Sequence, residues 1–364
     1  MPTHNPGNER LKRRYFAYLK EAKRRGEPSV DGAAMAFSRF ETHTKFRDFK
    51  AFHKEQAIVF KRHLAEQMSV ATGKPLSKAT LYSTMAALKA FFQWLAGQPG
   101  FRSRLTYSDA DYFNLSERDA RIAKTRAEKP APSLEQVRHV VLSMPSGDPI
   151  QCRDRALVAF ILLTGARDGA VVSLKLKHLD LAEGRVVQDA REVATKFGKS
   201  FDSWFFPVGD DVRQIVEEWA AHLTNQKRWG PDDPLFPATR IEVGEGHHFQ
   251  SVGLDRRHWS TAGPIREVFR RAFKAAGLPY FSPHRLRDTL VALAEQRCRS
   301  PEEFKAWSQN LGHSQVLTTF TSYGSVPATR QATIIRGLVE GDTPSETALD
   351  EMAAVLAKYG RSSR

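Results

Sequence analysis

The chain has 364 residues, 41% of them hydrophobic, and 55 Lys and Arg against 41 Asp and Glu leave a formal net charge of +14. That length can bury a substantial core and suggests about two domains, and the positive balance favours a polyanionic partner, nucleic acid ahead of an acidic membrane surface. No stretch approaches the roughly 18 apolar residues of a membrane span. The opening MPTHNPGNERLKRR lacks the apolar centre of a signal peptide, and Cys152 and Cys298 stand alone, without the paired spacing of a disulfide framework or a zinc site. A reduced cytoplasmic, nucleoid-associated protein is expected.

In chain order, a cation-rich helix is predicted from about Glu9 to Arg25, stopped by Gly26 and Pro28, with a polyanion or a partner chain as its expected contact. Helical periodicity returns between Arg47 and Met68 and from Ser77 to Ala96. In the second of these, Leu81, Met85, Leu88, Phe92 and Leu95 recur at spacings of four and three and are expected in a core. Lys50, Lys54, Lys61, Arg62, Lys78 and Lys89 fall on the opposite faces, where they either meet phosphates or simply solvate the helices.

From Ser116 to Pro132 the sequence SERDARIAKTRAEKPAP loses any sustained apolar stripe and reads as an interdomain linker, before Ser133 caps a new helix. ALVAFILLTGA suits a buried helix. GRVVQDAREVATKFGKSFDSWFFPV alternates and is broken by Gly198, so a short antiparallel sheet with a turn near residues 197–199 is expected, flanked by Lys196 and Lys199. The span from Arg240 to Thr261 reads as irregular, and its His247, His248 and His258 lack the clustered Cys or carboxylates of a metal site. An amphipathic helix is predicted near the end, about Ser345 to Tyr359.

The chemistry concentrates in four short motifs. SPHRLRDT predicts a helix start with Ser282 as N-cap and Pro283 at the first position, which puts His284 and Arg287 on one face beside the free amides of a helix N-terminus, an anion site. LLTGARDGAVV places Arg167 at a break after a buried run, where an arginine is costly unless an anion meets it. NLGHSQVLTTFTSY supplies His313 and, ten residues on, Tyr323. The predicted hairpin turn supplies Lys196 or Lys199.

Two arginines, two histidines, a lysine and a tyrosine, running Arg, Lys, His, Arg, His, Tyr along the chain, resemble the active site of the tyrosine recombinases, the phage integrase family. The resemblance covers most of the chain and rests on TGAR, HRLR and LGH followed by the tyrosine. It implies Arg167, Lys196, His284, Arg287, His313 and Tyr323 as the catalytic set, with family position favouring Lys196 over Lys199. It departs from the family at Ala170, where an acid is usual, so that Asp168 or Asp288 becomes the candidate support for the arginines. The implied fold is mainly α with a small antiparallel β-sheet: residues 1–28 a basic helix or extension, 29–117 a helical core-DNA-binding domain, 118–132 a linker, 133–340 a mixed α/β catalytic domain and 341–364 a tail helix. The implied partners are double-stranded DNA and three further copies in a tetramer on paired sites, with accessory DNA-bending proteins as candidate helpers and no membrane. No cofactor or metal is expected.

The residue types support the same chemistry independently. Phosphodiester transesterification develops charge on nonbridging oxygens, which two arginine forks suit, and cations around a phenol ease its deprotonation. Metal-dependent transposition is disfavoured because two-metal sites need clustered carboxylates. A type IB topoisomerase and a DNA-binding protein that has lost turnover remain the alternatives.

Overall fold

A computed structural model describes residues 4–69, 73–125, 130–244 and 248–313; Tyr323, His247 and the predicted tail helix lie outside these. The chain divides into two compact units, Met1–Ala127 and Glu128–Arg364.

The first unit is helical. Helix α1 (Pro6–Ala17) is capped by Asn5, whose side chain accepts from the amides of Gly7 and Asn8, and it runs on into a π-helical turn to Ala22. Leu11 and Tyr15 enter the same core as α2 (Glu27–His43), α3 (Lys54–Glu66) and α4 (Lys78–Ala96), so the opening helix is part of this unit. The predicted stripe from Leu81 to Leu95 is buried throughout. Around it Phe37, Phe40, Phe60, Phe91, Phe92 and Phe113 interlock edge to face, and each ring stabilises the unit by roughly 1.5–3 kcal/mol through burial alone.

Several lysines expected on open helix faces instead cross-link the unit. Lys61 donates to the Asn114 carbonyl at 2.6 Å, Lys89 pairs with Asp111 at 2.8 Å, Lys54 sits over the Tyr112 ring, and Lys78 pairs with Asp119 at 2.8 Å. Asp119 belongs to α5 (Glu117–Lys124), so part of the charged stretch read as a linker is helical.

The second unit is built around α7 (Pro149–Thr164), in which every residue from Ala156 to Leu163 is buried. It packs among α6 (Leu134–Ser143), α9 (Asp210–Ala221), α10 (Gly263–Ala275) and α11 (Arg285–Arg297), with α8 (Asp168–Val171) following it and α12 (Pro301–Asn310) closing the described part. Ser133 caps α6 as predicted, in a reciprocal capping box with Gln136. No helix among the described residues is long and apolar enough to cross a membrane.

Strands β1 (Leu179–Asp180), β2 (Arg185–Gln188) and β3 (Phe201–Trp204) form the expected antiparallel sheet. Pairing ends at Gln188 opposite Phe201, which leaves residues 189–200 as a loop with Lys196 and Lys199 towards its tip. Phe197 (φ 64°) and Gly198 (φ 62°) both turn left-handed there, and the Phe197 ring is 88% exposed.

The span read as irregular contains a two-stranded ribbon, β4 (Pro237–Val243) against β5 (Phe249–His258). Two register shifts interrupt its alternation, and most of its residues face solvent on both sides, which removes the apolar period that marks a strand. Arg153 pins its root, donating to the Pro237 carbonyl at 3.0 Å and to Thr239 Oγ1 at 2.9 Å.

Candidate active site

Helix α7 ends at Gly165, whose left-handed φ of 62° suits a residue without a Cβ; an added Cβ would also lie 2.7 Å from Leu311 Cδ2. The chain turns at once into Arg167, the N-cap of α8, whose carbonyl accepts from the amides of Ala170 and Val171. TGAR is therefore a turn that brings a half-buried arginine to the end of the central helix.

SPHRLRDT folds differently from the prediction at its start. Residues 282–284 form a turn in which Ser282 and Pro283 carbonyls accept from Arg285 and Leu286, and α11 begins at Arg285 with His284 as N-cap. The turn is of the tighter 3₁₀ kind, so His284 and not Ser282 holds the N-cap position of the helix. His284 is exposed, whereas Arg287, one turn further on, is only 2% exposed.

Among the described residues Arg287 is held without an acid. Its Nη1 donates to the Gly165 carbonyl, its Nη2 to the Leu311 carbonyl and, at 3.0 Å, to His313 Nε2. Among the described residues its Nε–H has no hydrogen-bond partner. The positive charge is thus oriented by neutral groups and left to be matched by an incoming anion. Of the two acids expected as supports, Asp168 accepts from Arg266 at 2.8 Å and Asp288 from Arg285, while Ala170 is buried. Sequence reasoning missed the two carbonyls, although the Gly in TGAR is the signal of a left-handed helix end.

His313 follows Gly312, which is also left-handed (φ 70°) and packs where a Cβ would strike the Phe201 ring at 2.6 Å. A guanidinium only donates, so His313 Nε2 is the accepting nitrogen and the ring proton sits on Nδ1. Burial first, then the charges of Arg287, Arg167, His284 and Lys199, push the His313 pKa down to about 3. The ring is neutral at physiological pH.

Those same charges show which predicted residues come together: Arg167, His284, Arg287 and Lys199 all bear on His313. Lys196 lies on the same loop, with its Nζ 5.0 Å from the centroid of the Phe197 ring. His258, at the end of the ribbon, bonds the Val172 carbonyl through Nδ1 at 2.8 Å.

The depressed pKa of His313 has a measurable effect on folding. Its unfolded value of about 6.5 exceeds the folded one, so the unfolded chain binds more protons below that pH and stability falls as pH drops from about 6.5 towards 3. The loss from this group approaches about 1.4 kcal/mol per pH unit. Urea unfolding at pH 7 and pH 5 should show a smaller acid loss in His313→Asn than in the native chain; equal losses would mean that His313 is not held neutral.

The phage integrase family model matches residues 133–329, more than half of the chain. The tyrosine recombinase XerC of Lactobacillus delbrueckii subsp. bulgaricus is 25% identical over 253 residues, covering 69% of this chain and 73% of the relative. In fold, the chain is similar to a lambda integrase dimer bound to a COC' core site, with a TM-score of 0.59 at 14% identity over 87% of this chain and 95% of that one. It is also similar to a lambda integrase tetramer bound to a Holliday junction, with a TM-score of 0.54 at 16% identity over 85% of this chain and 77% of that one. With TGAR, HRLR and LGH all inside the matched span and three of their basic residues gathered around a buried neutral histidine, the chain belongs to the phage integrase family, the tyrosine recombinases.

Proposed function

We propose that this enzyme, a tyrosine-type DNA strand transferase, is a site-specific recombinase that cuts and rejoins strands through a 3'-phosphotyrosine intermediate. The observation that carries the reading is Arg287, buried, oriented by two carbonyls and His313, and free of an acid partner among the described residues. Tyr323 Oη gives up its proton and attacks the scissile phosphorus, the bond from phosphorus to the 5'-oxygen breaks, and a proton passes to that oxygen, so no net proton is gained or lost. Arg167 and Arg287 meet the charge that grows on the nonbridging oxygens, and His284 and His313 add donors there. The phosphotyrosine keeps the ester's energy, so the reverse attack by a 5'-hydroxyl rejoins the strand without ATP.

The helical unit 1 is proposed to bind core DNA and the stretch 118–132 to link it to the catalytic unit. The chain is proposed to work on double-stranded DNA in the cytoplasm as a tetramer on two sites. That assembly is carried over from the lambda integrase tetramer on a Holliday junction.

Since arginines carry the charge stabilisation, cleavage should survive EDTA. Adduct trapping on a nicked suicide substrate checks this; complete loss in EDTA, restored by magnesium, would overturn the assignment of charge stabilisation to Arg167 and Arg287.

The proton donor is proposed to be a hairpin lysine. Family position favours Lys196, while the charge of Lys199 at His313 favours Lys199. A 5'-thiolate leaves without protonation because a thiol has a pKa of about 8.5. The alanine variant of the true donor should therefore be slow on normal DNA and recover on a 5'-bridging phosphorothiolate, and the other should not. Recovery of neither would leave the hairpin lysines with DNA holding alone.

A further inference from the structure

The loop that bears both lysines is fastened at its middle, just before the lysines. Val193 is buried in the core of its unit, and the Ala194 amide donates to Ser173 Oγ at 2.8 Å. The Ser173 hydroxyl in turn donates to the Ala170 carbonyl at 2.9 Å, and the Ala170 amide donates to the Arg167 carbonyl at 2.9 Å. A single hydroxyl thus joins the lysine loop to the turn that presents Arg167. The join uses the main chain of Ala170, at the position where the family's acid is missing.

Beside it, Glu192 Oε2 takes Lys177 at 2.7 Å and Lys175 at 3.1 Å, and Asp232 Oδ1 takes the same two ammonium groups at 2.9 and 3.1 Å. Two acids from separate loops share two lysines. Towards the tip, the Gly198 amide bonds the Thr195 carbonyl at 3.3 Å, within the loop itself, and Lys196, Phe197 and Lys199 are exposed. Lys196 stands two residues beyond the fastened Ala194.

We propose that Ser173 and Glu192 are positioning residues that register the lysine-bearing loop against the Arg167 turn, and so set where the hairpin lysine delivers its proton. The inference rests on the recombinase chemistry of the proposed function. Neither residue touches the reacting atoms. Exposed ion pairs and a single hydroxyl add little to global stability, so removing either one should leave the fold intact and displace the loop.

The test measures single-turnover cleavage by Ser173→Ala and Glu192→Gln on normal DNA and on the 5'-bridging phosphorothiolate, with DNA affinity measured alongside. Misplacement of a catalytic group by about an ångström costs up to roughly a hundredfold, so a loss of about ten- to a hundredfold is expected on normal DNA. On the sulfur substrate, which needs no proton, both variants should cleave at close to the native rate with unchanged affinity. Equal slowing on both substrates, or no slowing on either, would overturn the inference. Lys196→Ala and Lys199→Ala run in parallel separate the two readings. Recovery of one lysine variant without recovery of Ser173→Ala and Glu192→Gln removes the positioning role alone, whereas recovery of neither lysine variant removes the proton-donor assignment and the positioning role with it.

Discussion

Tyr323→Phe should abolish strand cleavage while leaving site-specific DNA binding at the native level. The substitution removes one hydroxyl from a surface whose affinity for DNA comes mainly from phosphate contacts, so gel shifts should be unchanged. Loss of a covalent nucleophile is not compensated by neighbouring groups, and the expected fall in adduct formation is at least about 10³-fold. Both assays run on one preparation. Residual covalent adduct in the variant would move the nucleophile elsewhere, with Tyr280, 42% exposed and stacked under Arg270 at 5.2 Å, as the next to substitute.

The second large effect is expected at Arg287, where folding and chemistry depend on the same atoms. Arg287→Ala strips the donor from two carbonyls, those of Gly165 and Leu311, in a site only 2% exposed. A buried acceptor left without a donor costs about 1–3 kcal/mol, so the variant should unfold at a clearly lower temperature. Arg287→Lys keeps the charge but cannot fork to two carbonyls and still face an anion, and cleavage should drop about 10²- to 10³-fold even where the protein stays folded. Thermal unfolding and single-turnover cleavage of both variants separate the effects. Cleavage by Arg287→Lys within threefold of the native rate would exclude a role for the guanidinium fork.

Much of the site was legible because its parts are local. TGAR, HRLR and LGH each place a candidate side chain within a few residues of the turn or helix end that positions it, and their order along the chain carried the resemblance. The mainly helical fold, the stripe from Leu81 to Leu95 and the sheet that carries the lysine loop were legible for the same reason, since spacing reports local structure. What stayed hidden depends on partners distant in sequence. Arg287 draws its acceptors from the main chain of Gly165 and Leu311, and a carbonyl leaves no mark in an amino-acid sequence. The pairing of Asp168 with Arg266 and of Asp288 with Arg285 likewise joins side chains whose meeting the motifs alone do not announce. Lys61, Lys78 and Lys89 looked like open cations and are engaged by Asn114, Asp119 and Asp111, which composition cannot foresee. The ribbon β4–β5 escaped because it has no buried face along most of its length.

The three contacts of Arg287 reach back 122 residues to Gly165 and forward 24 and 26 residues to Leu311 and His313. A chain emerging from the ribosome has made TGAR and HRLR well before it reaches residues 311–313. Until then Arg287 lacks two of the three groups that aim it. A truncated or still-growing product can therefore carry both arginines while Arg287 is still without the Leu311 and His313 contacts that aim it.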